Sequence, residues 1–395
     1  MKVLIVCQHF YPENFRINDI SFELVKKGID VTVLTGLPNY PKGKVLKEYK
    51  WFKNRNEVIN GVKVKRCSLI GRGNSTFMMI INYLWFMIFA SIKALFMKKD
   101  FDVVYVYQLS PITMAIPAII VSKIKKIPLV IHCLDQWPIS ITTADIKKTS
   151  FIYKLLEKIS RFIYNQADII TTSSKSFKKY FVKELKLTKE KKFLYFPSYA
   201  EDNYSNIKYL KDKNFDLLFA GNIGPAQSVE TIVEAANLLK KETNIKFHIV
   251  GDGLSKKECE DLAKKYKLKN IVFYGYHSVD KMPDFYKLAD AFLITMVDNE
   301  VVNNTLPAKV QSYMVAKRPI IGAISGEVSD VIKEANCGLT CKSLDYKNLA
   351  KIIKEASTHK DLNKWGKNAE KYYQENFKKE KCINEMIDFL KKVCK

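Results

Sequence analysis

One pattern constrains the fold of this chain more than any other: short apolar runs alternate with longer stretches whose apolar residues recur at helical spacing. In the first half the strand-like runs are Lys2–Cys7, Asp30–Leu34, Val62–Cys67, Val103–Tyr107, Leu129–Leu134, Ile169–Thr172 and Phe193–Phe196. Helices are predicted near Phe15–Lys27, Thr76–Met97, Ile112–Lys125, Phe151–Tyr164 and Ser174–Leu185. Strand and helix in steady succession imply a crossover at each step, and so a parallel sheet covered on both faces. Residues Pro197–Lys213 are polar and aromatic without a period and read as a linker. A second alternating set follows, with strands at Phe215–Ala220, Lys246–Val250, Ile271–Tyr274, Phe292–Thr295 and Pro319–Gly322. Its helices are predicted near Val229–Lys240, Ser255–Lys265, Met282–Leu288, Pro307–Ala316, Val328–Glu334 and Tyr346–Ser357, and two lysine-rich helices close the chain from Leu362.

The expected architecture is α/β: two doubly wound, Rossmann-like domains over residues 1–198 and 199–375, with a helix over 376–395 packing back on the first. A length of 395 residues with 47% hydrophobic side chains suffices for two cores and excludes a disordered chain. Nothing repeats at a solenoid period. Doubly wound sheets hold ligands at the carboxyl ends of their strands, so the expected site is a cleft between the two sets of strand ends.

Lysine and arginine exceed aspartate and glutamate to leave a net charge of +24, with the lysines spread along the chain. Such a chain seeks anions: phosphates, nucleic acid or an acidic membrane face. No nucleic-acid recognition motif or ladder of aromatic and basic residues is present, so nucleic acid is not expected as a partner. The eight cysteines form no CxxC pair, and Cys337 and Cys341, the closest two, have no histidine cluster nearby, which argues against zinc. Cys7, Cys67 and Cys133 lie in apolar runs and read as buried thiols of a reducing compartment. The chain enters its first strand directly, with no signal peptide expected.

Thr76–Met97 is long and apolar enough for a membrane span, with Lys93 its only charge. A span would put Val62–Cys67 and Val103–Tyr107 on opposite sides of a bilayer. The preferred reading is a helix partly buried on its sheet and partly dipping into lipid, with Tyr83, Trp85, Lys93, Lys98 and Lys99 at the interface. A wholly internal helix is the second reading and a span the third.

In the second half, strand ends carry small-residue turns: Gly221-Asn222-Ile223-Gly224, Gly251-Asp252-Gly253 and Gly275-Tyr276-His277. Glycines there let backbone N–H groups approach a ligand. Neither a P-loop nor a GxGxxG fingerprint is present. Thr305–Glu327 follows, with Thr305 expected to cap a helix carrying Pro307 in its first turn and Val310, Tyr313 and Met314 on its apolar face. Lys309, on the face of Ser312, would stand near the N–H groups of the helix start, where phosphate binds well. A plainly solvated lysine is the alternative.

The order GNIG, VGDG, YGYH, TLPAKVQSY, KRPIIG and GE resembles the donor domain of the GT-B glycosyltransferases of family 4. FYPENFRIND at Phe10–Asp19, LTGLPNYPKGK at Leu34–Lys44, YQLSPIT at Tyr107–Thr113 and LDQWP at Leu134–Pro138 resemble the bacterial branch with the O-antigen and capsule L-fucosamine transferases. The resemblance spans nearly the whole chain. It implies retaining, metal-independent transfer from a nucleoside diphosphate sugar, UDP favoured, with no other cofactor. The implied donor sugar is of the N-acetylated deoxyhexosamine kind, such as FucNAc. The acceptor would be a polyprenyl-diphosphate-linked saccharide at the cytoplasmic face of the bacterial inner membrane, where the enzyme would be peripheral or monotopic.

By the same resemblance Lys309 would hold the donor diphosphate with backbone at Thr305 and Leu306, and Gly221 and Asn222 would pass close to the phosphates. Gly253, Tyr274 and Tyr276 would flank base and ribose, and Asn14 and Arg16 would lie beneath the sugar. Ser312 and Glu327 complete the implied binding set. Asp135 is the candidate catalytic carboxylate, with a cap on the turn after Trp137-Pro138 as its alternative role. The chain departs from the wider family in three places. Leu134-Asp135 stands where His-Asp is common, with His132 nearby in the strand. Asn304 and Ser312 take the places of a common acidic pair. Asn222 and Gln227 replace basic residues after the first glycine turn. Tyr40, Pro41 and Lys42 read either as an acceptor gate or as plain turn residues. Two other functions fit less well: a UDP-sugar 2-epimerase of the same fold, and a non-enzymatic binder of anionic lipid or nucleic acid.

Overall fold

The structure, a computed structural model, describes residues 1–97, 100–144, 146–187, 192–210 and 212–394. It divides into two compact units, residues 1–196 with 380–395, and residues 197–379. Lys98 and Lys99, expected at a lipid interface, lie outside the described residues.

The first unit opens with β1 (Lys2–Val6), α1 (Arg16–Lys26), β2 (Asp30–Thr35), β3 (Asn56–Ile59) and β4 (Val62–Arg66). It continues with α2 (Thr76–Leu95), β5 (Val103–Gln108), α3 (Ile116–Lys125), β6 (Leu129–Cys133) and α4 (Phe151–Gln166). It ends with β7 (Ile169–Thr172), α5 (Phe177–Lys183) and β8 (Lys192–Tyr195). The strands form one sheet in the order β3-β4-β2-β1-β5-β6-β7-β8. Among the described residues only the β3–β4 pair of this sheet is antiparallel. β5 and β6 are buried along their whole length, as strands of a sheet covered on both faces must be.

The second unit runs β9 (Phe215–Ala220), α6 (Glu230–Leu238), β10 (Ile245–Val250), α7 (Lys256–Lys265), β11 (Ile271–Gly275) and α8 (Met282–Tyr286). Next come β12 (Ala291–Thr295), α9 (Glu300–Asn303), α10 (Lys309–Val315), β13 (Ile320–Ala323), α11 (Glu327–Glu334) and β14 (Gly338–Cys341). The helices α12 (Tyr346–Ser357) and α13 (Leu362–Asn376) follow, and α14 (Lys379–Val393) carries the chain back to the first unit. The sheet order is β11-β10-β9-β12-β13-β14, all parallel. Leu217, Phe219, Phe247, Ile249 and Leu293 project from it into a core closed by α6 and α12.

One segment differs from the sequence reading. The expected linker Pro197–Lys213 is packed onto the second unit: Tyr204 stacks on Tyr286 at 4.8 Å, and the Tyr209 hydroxyl donates to the Ala316 carbonyl. Tyr199 and Tyr204 pack as core side chains and Tyr209 is half-buried, which a residue count of polar groups does not reveal. The apolar helix α2 joins β4 and β5, two strands of the same sheet, so it does not span a bilayer in this fold. Ser75 caps it by accepting from the Met78 N–H at 3.2 Å. Asn82, Phe86, Ala90 and Ala94, four residues apart, make its buried stripe. The Asn82 carbonyl oxygen accepts from Gln8 Nε2 at 2.7 Å, and Lys93 Nζ donates to the Arg66 carbonyl at 2.8 Å.

Candidate active site

In the second sheet the chain steps outward from β9 through β10 to β11, then returns to β12 and steps the other way. The loops part at such a switch, which is where doubly wound sheets take ligands. β12 pairs with β9 only at Ala291–Leu217 and Phe292–Leu218, leaving the last two residues of β9 open on that side. Tyr313 of α10 fills the gap: its hydroxyl accepts from the Ala220 N–H at 2.9 Å and donates to the Ala220 carbonyl at 3.1 Å. Its ring stacks on Phe292 at 4.3 Å.

Lys309 lies one turn before Tyr313 on the same helix face. Its ammonium sits 4.2 Å from the centre of the Phe219 ring. A Cβ added to Gly221 would come within 2.9 Å of Lys309 Nζ, so the lysine and the first glycine turn meet, as the sequence reading requires. The stem of Lys309 is partly covered while its Nζ is buried, and among the described residues Nζ has no hydrogen-bond partner. Burial lowers its pKa to about 8. A buried ammonium with no acceptor is costly, and such an orphan calls for a partner.

The glycine turns are locked to one another through the backbone. The Gly221 N–H donates to the Val250 carbonyl and the Gly251 N–H to the Gly275 carbonyl, both at 2.9 Å. A Cβ on Gly251 would fall 1.8 Å from the Gly221 carbonyl oxygen, and one on Gly253 2.4 Å from that of Ile223. Only glycine fits at either position. Asn222 is exposed, and its amide donates to Gln227 Oε1 at 3.1 Å.

Other expected residues are placed differently. Thr305 does not cap α10: its hydroxyl donates to the Val301 carbonyl at 2.8 Å, closing α9, and Ala308 takes the cap position without a side-chain bond. Pro307 therefore precedes the helix, and Lys309 is its first residue. Leu306 is buried, and the Ser312 hydroxyl turns back on the Ala308 carbonyl at 3.3 Å. The Tyr274 hydroxyl engages His248 Nδ1 at 2.8 Å, whose Nε2 meets Asp216 Oδ1 at 2.6 Å, so it points into the sheet face. Tyr276 stands 74% exposed. Glu327 is buried at the first turn of α11, after Gly326, which abuts the Asn303 carbonyl.

The first sheet switches direction between β1 and β5. Asn14 is exposed there, and Arg16 opens α1, its charge opposing the rise that burial causes in the Tyr107 phenol. Asp135 follows β6. Its Oδ2 accepts from the Ser110 hydroxyl, and the same Oγ accepts from Trp137 Nε1 at 2.8 Å. Burial pushes the Asp135 carboxyl up to about 6. Tyr83 of α2 is close enough to feel the charges of Arg72 and Asp135, although burial is what chiefly raises its phenol. His132 is packed among Tyr105, Tyr107 and Phe196, bonded to Thr171 Oγ1 at 2.9 Å, and lowered to about 3 by burial.

The sequence reading missed Glu13, Ser110 and His9. Glu13 Oε1 accepts from the N–H groups of Asn39 and Tyr40 at 2.8 and 2.6 Å, and both its oxygens lie 3.1 Å from His9 Nδ1. The carboxylate thus ties the turn after β1 to the Tyr40-Pro41-Lys42 loop. Its place in FYPENFRIND was the one available signal. Among the described residues no three His, Cys, Asp or Glu side chains gather as a metal-binding set.

Comparisons with known proteins bear on the family and the fold. The family model described as Glycosyltransferase Family 4 matches residues 16–193, and that described as Glycosyl transferases group 1 matches residues 200–372. A putative colanic acid biosynthesis glycosyl transferase, WcaI of Escherichia coli K12, is 24% identical over 80% of this chain and 81% of its own. A probable glycosyltransferase, WbjE of Pseudomonas aeruginosa, is 26% identical over 63% and 64%. Among solved structures, Alr3699/HepE of Anabaena, in complex with UDP and glucose, superposes with a TM-score of 0.70 at 13% identity over 99% of both chains. A sucrose-phosphate synthase of Thermosynechococcus elongatus reaches 0.74 at 13% identity, over 99% of this chain and 98% of its own. Two family models that together leave only 1–15, 194–199 and 373–395 unmatched, on a fold shared end to end, make this chain a member of the GT-B glycosyltransferases of family 4.

Proposed function

We propose that this glycosyltransferase moves a sugar, with retention, from a nucleoside diphosphate sugar to a polyprenyl-diphosphate-linked saccharide in the assembly of a surface polysaccharide such as O-antigen or capsule. UDP is the favoured carrier, and an N-acetylated deoxyhexosamine such as FucNAc the favoured sugar. The work takes place at the cytoplasmic face of the inner membrane, where such acceptors are presented. The observation that carries this reading is the buried, partnerless Lys309 ammonium beside Gly221. The E. coli relative, named for colanic acid biosynthesis, supports a polysaccharide pathway, and the Anabaena structure with UDP and glucose supports a uridine nucleotide.

Breaking the glycosidic bond leaves negative charge on the β-phosphate and positive charge on the sugar ring. The Lys309 ammonium meets the first as it develops, which is the task a metal performs in other transferases; the reaction is accordingly metal-independent. Losing one such donor costs about 10²–10³ in rate. Asp135, ionised at pH 7 with its pKa about 6, steadies the ring or orients the acceptor hydroxyl.

Melting in UDP, GDP, dTDP and CMP tests the reading. A nucleotide at a hundred times its Kd adds about 2.7 kcal/mol. One diphosphate should stabilise the wild type and leave Lys309→Ala unmoved. No response to any of them, or an equal response in the variant, overturns the assignment.

A further inference from the structure

The loops that leave the carboxyl ends of β2 and β4 are joined into one frame. After β2 the chain runs through Asn39-Tyr40-Pro41-Lys42-Gly43-Lys44, and after β4 through Ile70-Gly71-Arg72-Gly73 before Ser75 caps α2. The Gly73 N–H donates to the Gly43 carbonyl at 2.9 Å, and the Arg72 N–H to Asn39 Oδ1 at 3.0 Å. Backbone packs directly on backbone there. A Cβ on Gly71 would fall 2.7 Å from the Gly43 carbonyl oxygen, and one on Gly43 2.6 Å from that of Gly73. Asn39 is itself buried, and Glu13 accepts its N–H and that of Tyr40. Arg72 is therefore carried on a frame anchored to the turn after β1.

That frame presents a cation without an acid. Arg66 and Arg161 are each paired with a glutamate at 2.9 Å, and Arg66 also donates to the Gly36 and Tyr11 carbonyls. The half-buried Arg72 side chain meets no oxygen acceptor among the described residues. Its Nη2 lies 3.1 Å from Met79 Sδ, a weak acceptor, and its guanidinium 5.8 Å from the centre of the Tyr40 ring. Lys42 and Lys44 are exposed on either side of Gly43. No aspartate or glutamate occurs in residues 36–47 or 67–75. Tyr83, whose phenol burial raises, is close enough to Arg72 and Asp135 to feel both charges, in opposite senses.

We propose that Arg72, with Lys42 and Lys44 at its rim, is the subsite that holds the acceptor's diphosphate, in the first unit near Asp135. The assignment deepens the acceptor reading given above and rests on it. A guanidinium offers paired N–H groups to two phosphate oxygens at once, and the two lysines add point charges that suit a group with more than one negative charge. A structural arginine would be supplied with oxygen acceptors, as Arg66 is. The frame fixes the backbone that bears Arg72 and leaves its N–H groups open to a ligand.

Titration calorimetry of the full chain, saturated with UDP to occupy the Lys309 site, tests this with farnesyl diphosphate, farnesol, inorganic pyrophosphate and glucuronate. Farnesyl diphosphate should bind the wild type, and farnesol should not. Affinity for the diphosphate should fall about tenfold or more in Arg72→Gln. It should fall less in Arg72→Lys, which keeps the charge but not the fork. The melting temperature without ligand and the shift in UDP should stay at wild-type values in both variants. Pyrophosphate that displaces farnesyl diphosphate supports the assignment, since the headgroup is what is read. Pyrophosphate bound through Arg72 while farnesyl diphosphate is not would assign the site to a free anion and overturn it. Equal affinity in Arg72→Gln, farnesol bound as tightly as its diphosphate, or glucuronate preferred over pyrophosphate also overturns it. So does an Arg72→Gln protein that melts lower and loses its UDP shift as well, because the role is then structural. Diphosphate binding that depends on Arg72 in a chain without a UDP response leaves this subsite standing and removes only the donor reading.

Discussion

The Lys309 ammonium enters the fold at a cost, because burial brings its pKa from 10.5 down to about 8. Between those values the unfolded chain binds more protons than the folded one, so stability rises with pH through that window and bears the full penalty, about 3 kcal/mol, below it. Lys309→Met should therefore melt higher than the wild type at pH 7 without ligand, yet gain nothing from UDP. Calorimetry of both proteins with and without UDP checks this, and an unliganded variant less stable than the wild type would refute it. Asp135 runs the opposite way. Its pKa rises from 3.8 to about 6, so the folded chain binds more protons between these values and loses stability as pH climbs through them. Asp135→Asn should match or exceed wild-type stability at pH 7, with the advantage vanishing below about pH 4, while transfer falls by about 10²–10⁴. Stability and rate parting in this way mark a carboxylate kept for chemistry; a variant that loses both is reporting a structural role. Lys309, Gly221 and Asp135 were named from the sequence because the motifs they stand in are local. Glu13 could not, since its importance lies in accepting N–H bonds from Asn39 and Tyr40, which a distant turn supplies.

At the scale of single elements, α10 is a clamp as well as a carrier. Tyr313→Phe keeps the stacking on Phe292 but strands the N–H and carbonyl of Ala220. A buried backbone group without a partner costs about 1–3 kcal/mol, and the freed end of β9 no longer fixes Gly221 against Lys309. The expected result is a lower melting temperature with UDP affinity reduced by about tenfold; titration calorimetry that finds affinity unchanged would show the clamp to be structural only. The strands that carry this machinery were readable because central strands of a parallel sheet must be apolar throughout. The edge strands β3 and β14 were not, since Asn56-Glu57-Val58-Ile59 and Gly338–Cys341 are only half covered and show no such run. The start of α10 was misjudged for a similar reason: Thr305 suits a cap by its chemistry, but α9, a four-residue helix too short to leave a period, claims its hydroxyl. In α4 apolar residues occur on both sides, so the sequence pattern does not say which side turns outward.

At the scale of the whole molecule, the chain leaves the first unit at residue 196 and returns to it at residue 380. The returning helix α14 buries Cys382, Ile383, Met386, Ile387 and Leu390, and its end reaches the amino-terminal edge of the first sheet, where Cys394 Sγ donates to the Asp102 carbonyl at 3.6 Å. Five buried apolar side chains amount to at most about 8–15 kcal/mol of hydrophobic stabilisation, as much as an ordinary domain possesses. The second unit has its own core around Leu217, Phe247 and Leu293, and no α14 residue is among its described members. Removal of residues 380–395 should therefore unfold the first unit and abolish transfer, while residues 197–379 still gain stability from UDP. Deuterium exchange read unit by unit, with and without UDP, separates the two effects. Protection lost across β1 and β5 but kept across β9 and β10 is the expected pattern. Loss in both units would mean that the donor half depends on the first unit for its fold, and the Lys309 site would then have to be assayed only in the intact chain.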